Sequence, residues 1–324
     1  MTAEKTVLLP VSPDQAFALI TEPERLRRWK TVSARVDLRA GGEYRFTIIP
    51  GHVAAGTYRQ IEPGRRVVFG WGWEGSEDLA ADSSTVTVTL EPTEAGTLVR
   101  LVHEGLTAEQ EVSHLEGWNH FFERLERAAT TGDAGPDEWA AAPAPLDKLS
   151  AADATLAVCQ HVLRGLTDTD LAKPTPCEGL NVGQLVDHLL ESLVGLAAMA
   201  GRTVEVADGG TAESRVADVA QQTLEAWNRR GLDGFVKAGP NEMPADLAVN
   251  ILSVEFLVHG WDFAHATGQK LVVSDEVAGY VLELAHELIT PPVREGGSFR
   301  PAVEIGHDEP LLDRLIAYSG RSAS

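Results

Sequence analysis

The chain has 324 residues, 44% hydrophobic and 23% charged, and at roughly 150 residues per domain this length predicts two domains, each with its own core. Its formal charge of −21 repels phosphate backbones and anionic lipid, which argues against nucleic-acid and membrane partners, and no apolar run reaches the ~20 residues of a bilayer crossing. Cys159 and Cys177 are too few for a disulfide framework, and Met1 to Pro10 lacks the build of a signal peptide, so a reducing cytoplasm is the expected compartment.

A strand is predicted over Lys5 to Leu9. Ser12-Pro13-Asp14-Gln15 then supplies a capping serine, proline at the first helical position and Gln three residues after the cap, which starts a short helix. A second short helix fits Pro23 to Trp29. Period-two runs follow at Ala34 to Leu38, Glu43 to Ile49, Ala55 to Glu62, Val67 to Trp73, Thr85 to Leu90 and Thr97 to His103. Turns at Gly41-Gly42, Pro63-Gly64 and Glu94-Ala95-Gly96 make most neighbours antiparallel. Val112, Leu115, Trp118, Phe122, Leu125 and Ala129 then form the stripe of a long amphipathic helix. A sheet covered by one helix leaves a volume that side chains or a ligand must fill.

Within that volume Val67, Phe69, Trp71 and Trp73 share one side of a strand, with Val68, Gly70 and Gly72 on the other. The tryptophans, with Trp118, could stack on a flat apolar ligand, while the glycines let another backbone come close; ordinary core residues would look the same. His103 shares a face with Val99 and Leu101, as an inward acid/base group or a hydrogen-bonded core histidine. No set of nucleophile, base and orienting group is visible here, and no catalytic residue is assigned.

Val11-Ser12-Pro13-Asp14-Gln15-Ala16-Phe17, Trp29 after the second helix, Leu101-Val102-His103-Glu104-Gly105-Leu106 and Gly117-Trp118 resemble the START-like (SRPBCC) superfamily, nearest the branch related to activators of the Hsp ATPase. The resemblance implies an α+β helix-grip domain over 1–130, an antiparallel sheet around a long C-terminal helix that binds a small hydrophobic molecule. The architecture also serves carriers, cyclases, self-resistance proteins and chaperone cofactors.

The texture changes near residue 131, and the Gly-, Ala- and Pro-rich stretch 131–147 reads as a linker. Helices are predicted beyond it at about 150–166, 181–201, 212–230, 244–267 and 274–289, an all-α bundle over 148–324. His188 falls early in the second of these, among Leu185, Leu189 and Leu193. Glu255 and His259, at i and i+4, share a face of the fourth. Carboxylate and imidazole suit a divalent ion, and three protein ligands leave a position open. A buried Glu255 needs a partner, which a metal or a histidine would supply. Gly260 permits close packing, and Asp262 is either the acceptor for a ligand N–H or an end-of-helix acid. Cys177 lies in a proline-rich loop and is expected to be structural, as is Cys159 in a helix core; His161, His265, His286 and His307 have no partner at ligand spacing.

Thr175-Pro176-Cys177, Val186-Asp187-His188-Leu189, Glu255 to Asp262 and the tail from Phe299 to Leu315 resemble the DinB-like superfamily, in its mycothiol-dependent maleylpyruvate isomerase-like branch. That resemblance implies a metal held by His188, Glu255 and His259, with zinc first and nickel or iron as alternatives. It also implies a low-molecular-weight thiol such as mycothiol as cosubstrate. Glu255 stands where related DinB proteins carry a histidine, which favours the isomerase-like branch. Three readings follow: a thiol transferase or thiol-assisted isomerase acting on a hydrophobic electrophile, a sequestration protein with a structural metal, and a chaperone-type interaction module. A homodimer stays open.

Overall fold

In the computed structural model, which describes residues 1–297 and 299–322, the chain divides into two units, Met1–Asp137 and Glu138 onward. The first unit runs β1 (Thr2–Leu9), α1 (Pro13–Thr21), α2 (Pro23–Leu26), β2 (Ser33–Val36), β3 (Glu43–Ile49), β4 (His52–Glu62), β5 (Arg66–Trp71), β6 (Ser84–Thr93), β7 (Gly96–Glu104) and α3 (Ala108–Thr131). The strands form one sheet in the order β1-β7-β6-β5-β4-β3-β2, every neighbouring pair antiparallel. The capping box at α1 is made as its residues predict, Gln15 N–H donating to Ser12 Oγ. Thr107 and Gln110 repeat the device at α3.

Helix α3 covers the sheet with Trp118, Phe121, Phe122, Leu125 and Ala128. Val112, expected on that stripe, is 70% exposed. Two successive steps of three residues turn the helix back by about 120°, so Val112 and Trp118 cannot share a face.

The bare side of β5 is occupied as its glycines allow. A Cβ at Gly72 would lie 1.8 Å from the carbonyl oxygen of Ala80, and one at Gly70 would lie 1.5 Å from Asp82 Oδ1. Trp73 lies beyond the end of β5, and its backbone bridges to Ala54 and Ala80 as the connection to β6 folds back. The start of the stretch read as a linker is also engaged: Ala134 N–H donates to the Arg28 carbonyl, and Arg124 donates to the Gly135 and Pro136 carbonyls.

The second unit runs α4 (Glu138–Ala141), α5 (Lys148–Arg164), a short 3-10 turn (Asp168–Asp170), α6 (Val182–Met199), α7 (Ala212–Arg230), β8 (Phe235–Ala238), β9 (Asn241–Pro244), α8 (Ala245–Ala248), α9 (Asn250–Thr267), α10 (Asp275–Leu288), α11 (Pro291–Glu295) and α12 (Leu311–Tyr318). The unit is helical as expected, with one addition that was not foreseen, the short antiparallel hairpin β8-β9. Each of its strands is four residues long, too short for alternation to register.

Helix α9 is buried around most of its circumference, as a central core helix is, and packs against α5, α6, α10 and α12. At Gly260 the backbone of α5 comes close, a Cβ there lying 3.4 Å from Cys159 Cα. Val182–Met199 and Ala245–Thr267 are long and apolar enough to cross a membrane by length and composition, which corrects the reading that no such run exists. The second of these segments is 78% buried within the unit, as a core helix is.

Candidate functional site

Asn181 caps α6, its side chain accepting from Gln184 N–H, and places His188 in the helix's second turn. Glu255 and His259 stand one turn apart on α9. One ligand atom from each of His188, Glu255 and His259 lies within 4.8 Å of the other two. The His188 and His259 rings meet edge to face at 5.3 Å, and His259 Nε2 faces Glu255 Oε2 at 3.6 Å. His188 is exposed, Glu255 half-buried and His259 buried, so the cluster opens on the His188 side.

Hydrogen bonds decide which groups have lone pairs to offer. Asp262 is completely buried and its Oδ2 lies 3.0 Å from His259 Nδ1. A carboxylate only accepts, so Nδ1 carries the proton and Nε2 presents its lone pair toward Glu255. Glu255 Oε2 is itself buried without a hydrogen-bond partner. A cation bound between these two atoms, or a second proton on His259, supplies the partner that Glu255 Oε2 lacks. Donors at ~2.1 Å from a tetrahedral ion stand about 3.4 Å apart, so the residues present fit a divalent metal.

Asp262 is anchored in turn by Arg321, which donates from Nε to Oδ1 at 2.7 Å and from Nη2 to Oδ2 at 2.8 Å. Burial works to raise the Asp262 pKa, but the bonds from His259 and Arg321 outweigh it and hold the group below its ordinary value. Asp262 therefore takes the acceptor role among the two its sequence position allowed. Arg321 lies 59 residues downstream, in a tail with no periodic pattern, and was not foreseen. Cys177 was expected to be structural, yet its Sγ joins His259 and Asp262 in a second group of donor atoms within 4.8 Å. Burial raises its pKa, opposed by Arg321. Cys159 is wholly buried, and burial pushes its thiol up to about 12, as a core cysteine requires.

In the first unit Trp71, His103 and Trp118 are buried together, with Trp73 half-buried beside them. Trp71 lies 5.3 Å from Trp118, 5.6 Å from Trp73 and 6.1 Å from His103 between ring centres. Trp118 Nε1 donates to His103 Nδ1 at 3.3 Å, which leaves Nε2–H to donate to Ser84 Oγ at 2.8 Å; Ser84 Oγ donates onward to the Trp71 carbonyl. Burial, reinforced by His114 and Lys30, pushes the His103 pKa down to about 3. With both nitrogens engaged and the ring neutral, His103 fits the hydrogen-bonded core histidine and not the acid/base group. The space between sheet and α3 is largely filled by side chains: the cavity bounded by Trp29, Lys30, Phe46, Phe69, Trp118 and Phe122, among others, has about 20 Å³, room for one water. Lys30 on that wall was also not foreseen, because a lysine between a short helix and a strand carries no local sign of burial.

Residues 10–130 match the family model described as "Activator of Hsp90 ATPase homolog 1-like protein", and residues 152–264 match "Mycothiol maleylpyruvate isomerase N-terminal domain". Among curated proteins, the uncharacterized proteins Rv0738 and MT0763 of two Mycobacterium tuberculosis strains are each 27% identical over 166 residues, which is 50% of this chain and 90% of theirs. Among solved structures, an AHSA1-like protein of Rhizobium etli is 36% identical over 45% of this chain and 91% of its own, with a TM-score of 0.37. The Aha1 dimer of Colwellia psychrerythraea is 20% identical over 41% of this chain and 98% of its own, with a TM-score of 0.36. The first family model suggests ligand binding, and the second a mycothiol-related, DinB-like metal-binding domain. The chain carries an AHSA1-like domain of START type at residues 10–130 and a mycothiol maleylpyruvate isomerase N-terminal, DinB-like domain at residues 152–264.

Proposed function

We propose that this chain is a metal-dependent thiol transferase or thiol-assisted isomerase that acts on a small hydrophobic electrophile in a reducing cytoplasm, with 1–130 as the ligand-binding domain, 131–147 as linker and 148–324 as the metal-binding bundle. The observation that carries the reading is the meeting of His188, Glu255 and His259, with His259 Nδ1 bonded to Asp262 and Nε2 left free toward Glu255. These three residues would hold zinc, or nickel or iron. A divalent cation bound there would lower the pKa of a thiol such as mycothiol, which would make the thiolate available as a nucleophile. The chain's own part is orientation: Asp262 fixes the tautomer of His259, Arg321 fixes Asp262, and the exposed side at His188 admits the thiol. Trp71, Trp73 and Trp118 offer aromatic faces to the hydrophobic partner, with His103 as their hydrogen-bonded support. A homodimer is compatible with this scheme and not required by it.

The test is metal content by inductively coupled plasma mass spectrometry on the untagged chain and on His188→Ala, His259→Ala and Cys177→Ala. Near-stoichiometric metal that is lost in both histidine variants and kept in Cys177→Ala is expected. No metal in the wild type, or loss in the cysteine variant alone, would sink the assignment.

A second reading, sequestration of a small molecule with a structural metal, draws on the place of Cys177. Its Sγ groups with His259 and Asp262 in a second donor set that shares only His259 with the first, and a metal held there would be structural. Loss of metal in His259→Ala and Cys177→Ala, with retention in His188→Ala, favours that reading over the enzyme.

A further inference from the structure

Lys30 follows the α2 turn and is 5% exposed. Its Nζ lies 4.9 Å from the ring centres of both Trp71 and Trp118, 5.3 Å from Phe46 and 5.9 Å from Trp29. Among the described residues, no carboxylate or carbonyl accepts a hydrogen bond from it. Four aromatic faces offset part of the cost of burying an ammonium, yet a buried cation without a counter-charge stays unfavourable. Burial alone draws its pKa down to about 7, so the charged form is present at neutral pH and responds to any anion that reaches it.

The surroundings name the missing partner. Lys30 lines the small cavity between sheet and α3. Trp71, whose ring it faces, has its Nε1–H buried without an acceptor. Tyr58, on the same wall, brings a hydroxyl that can donate. Two donors thus lack an acceptor, Lys30 on the cavity wall and Trp71 behind it, and apart from Tyr58 the rest of that wall, including Phe46, Phe69, Val88 and Phe122, is apolar. Acceptor oxygens carrying negative charge on an apolar body complement that arrangement, whereas a neutral hydrocarbon would leave the donors bare.

We propose that the cavity is the binding site for an apolar monocarboxylate, whose oxygens accept from Lys30 Nζ and Trp71 Nε1 while its hydrocarbon part lies among the aromatic rings. The site names a substrate class for the ligand-binding domain and rests on that domain's reading as a ligand binder. The cavity of about 20 Å³ is smaller than any such ligand, so binding requires side chains of its wall to move, which favours a small body. Short and planar tails therefore bind first.

The test compares benzoate with benzyl alcohol, close in shape and uncharged, on the full chain and on Lys30→Met, by calorimetry and by the indole N–H resonances of 15N-tryptophan-labelled protein. Benzoate is expected to bind the wild type at least tenfold more tightly than the alcohol and to shift the Trp71 indole resonance. Lys30→Met is expected to retain the alcohol and to lose the preference. Equal affinities in the wild type, or a preference that survives in Lys30→Met, overturn the carboxylate site and leave the domain a ligand binder. Binding of neither compound to the wild type overturns the site and, for ligands of this size, the ligand-binding reading with it. The Trp71 shift in the wild type stands as evidence even if Lys30→Met does not fold.

Discussion

At the scale of single residues, the proposed metal site would depend on a group that does not itself serve as a ligand. Asp262 determines which nitrogen of His259 holds the proton, and an amide in its place can present either a donor or an acceptor to that ring. Asp262→Asn is expected to weaken metal retention about 10–100-fold, read by competition against a calibrated chelator. It also leaves the Arg321 guanidinium, itself mostly buried, without its carboxylate. A loss of about 3 kcal/mol or more in the unfolding free energy of the second unit is therefore expected from denaturant titration. Unchanged metal affinity would show that the tautomer is set elsewhere. The meeting of His188, Glu255 and His259 was legible because two of them carry helical spacing and the third sits in a recognisable helix start. Arg321 was not, since an ion pair across 59 residues leaves no local trace. The place of Cys177 beside His259 and Asp262 was equally hidden: its loop predicts where the backbone turns, not where the thiol ends.

At the scale of elements, alternation and capping located the strands of the sheet and the long helices, and failed where a pattern was short or where steps of three drifted around a helix. The hairpin β8-β9 is the first kind and Val112 the second. The glycines of β5 were legible as a place of close approach, and the structure gives that approach a partner. Gly72→Ala would put a Cβ against the Ala80 backbone, which cannot swing aside as a side chain can. It is expected to destabilise the first unit by about 2 kcal/mol or more. Gly117, inside α3, has nothing within 4 Å of a Cβ position. Gly117→Ala is thus expected to stabilise the same unit by about 0.5–1 kcal/mol. Both are measured by guanidinium unfolding followed through tryptophan fluorescence, and the opposite order of the two variants would contradict the packing at β5.

At the scale of the whole molecule, two units with separate cores carry chemistry of different kinds, and each has one handle that the other lacks. In the first unit the handle is Lys30, whose pKa burial draws from the ordinary 10.5 down to about 7. A depressed lysine means that the native state sheds its proton first, so between those two values the unfolded chain binds more protons and stability rises with pH. Below pH 7 both states are protonated and the native state bears the full cost of the buried charge. Lys30→Met should therefore be more stable than the wild type by roughly 2–4 kcal/mol near pH 6, with the advantage shrinking steadily toward pH 10. In the second unit the handle is the proposed metal: if zinc binds there, a hundredfold excess over its Kd would add about 2.7 kcal/mol to whatever part binds it. Differential scanning calorimetry of the full chain should then resolve two transitions, one moved by Lys30→Met and by pH, the other by zinc and by His188→Ala. A single transition moved by all four would mean that the two cores unfold as one, and each functional reading would have to be tested on the chain as a unit.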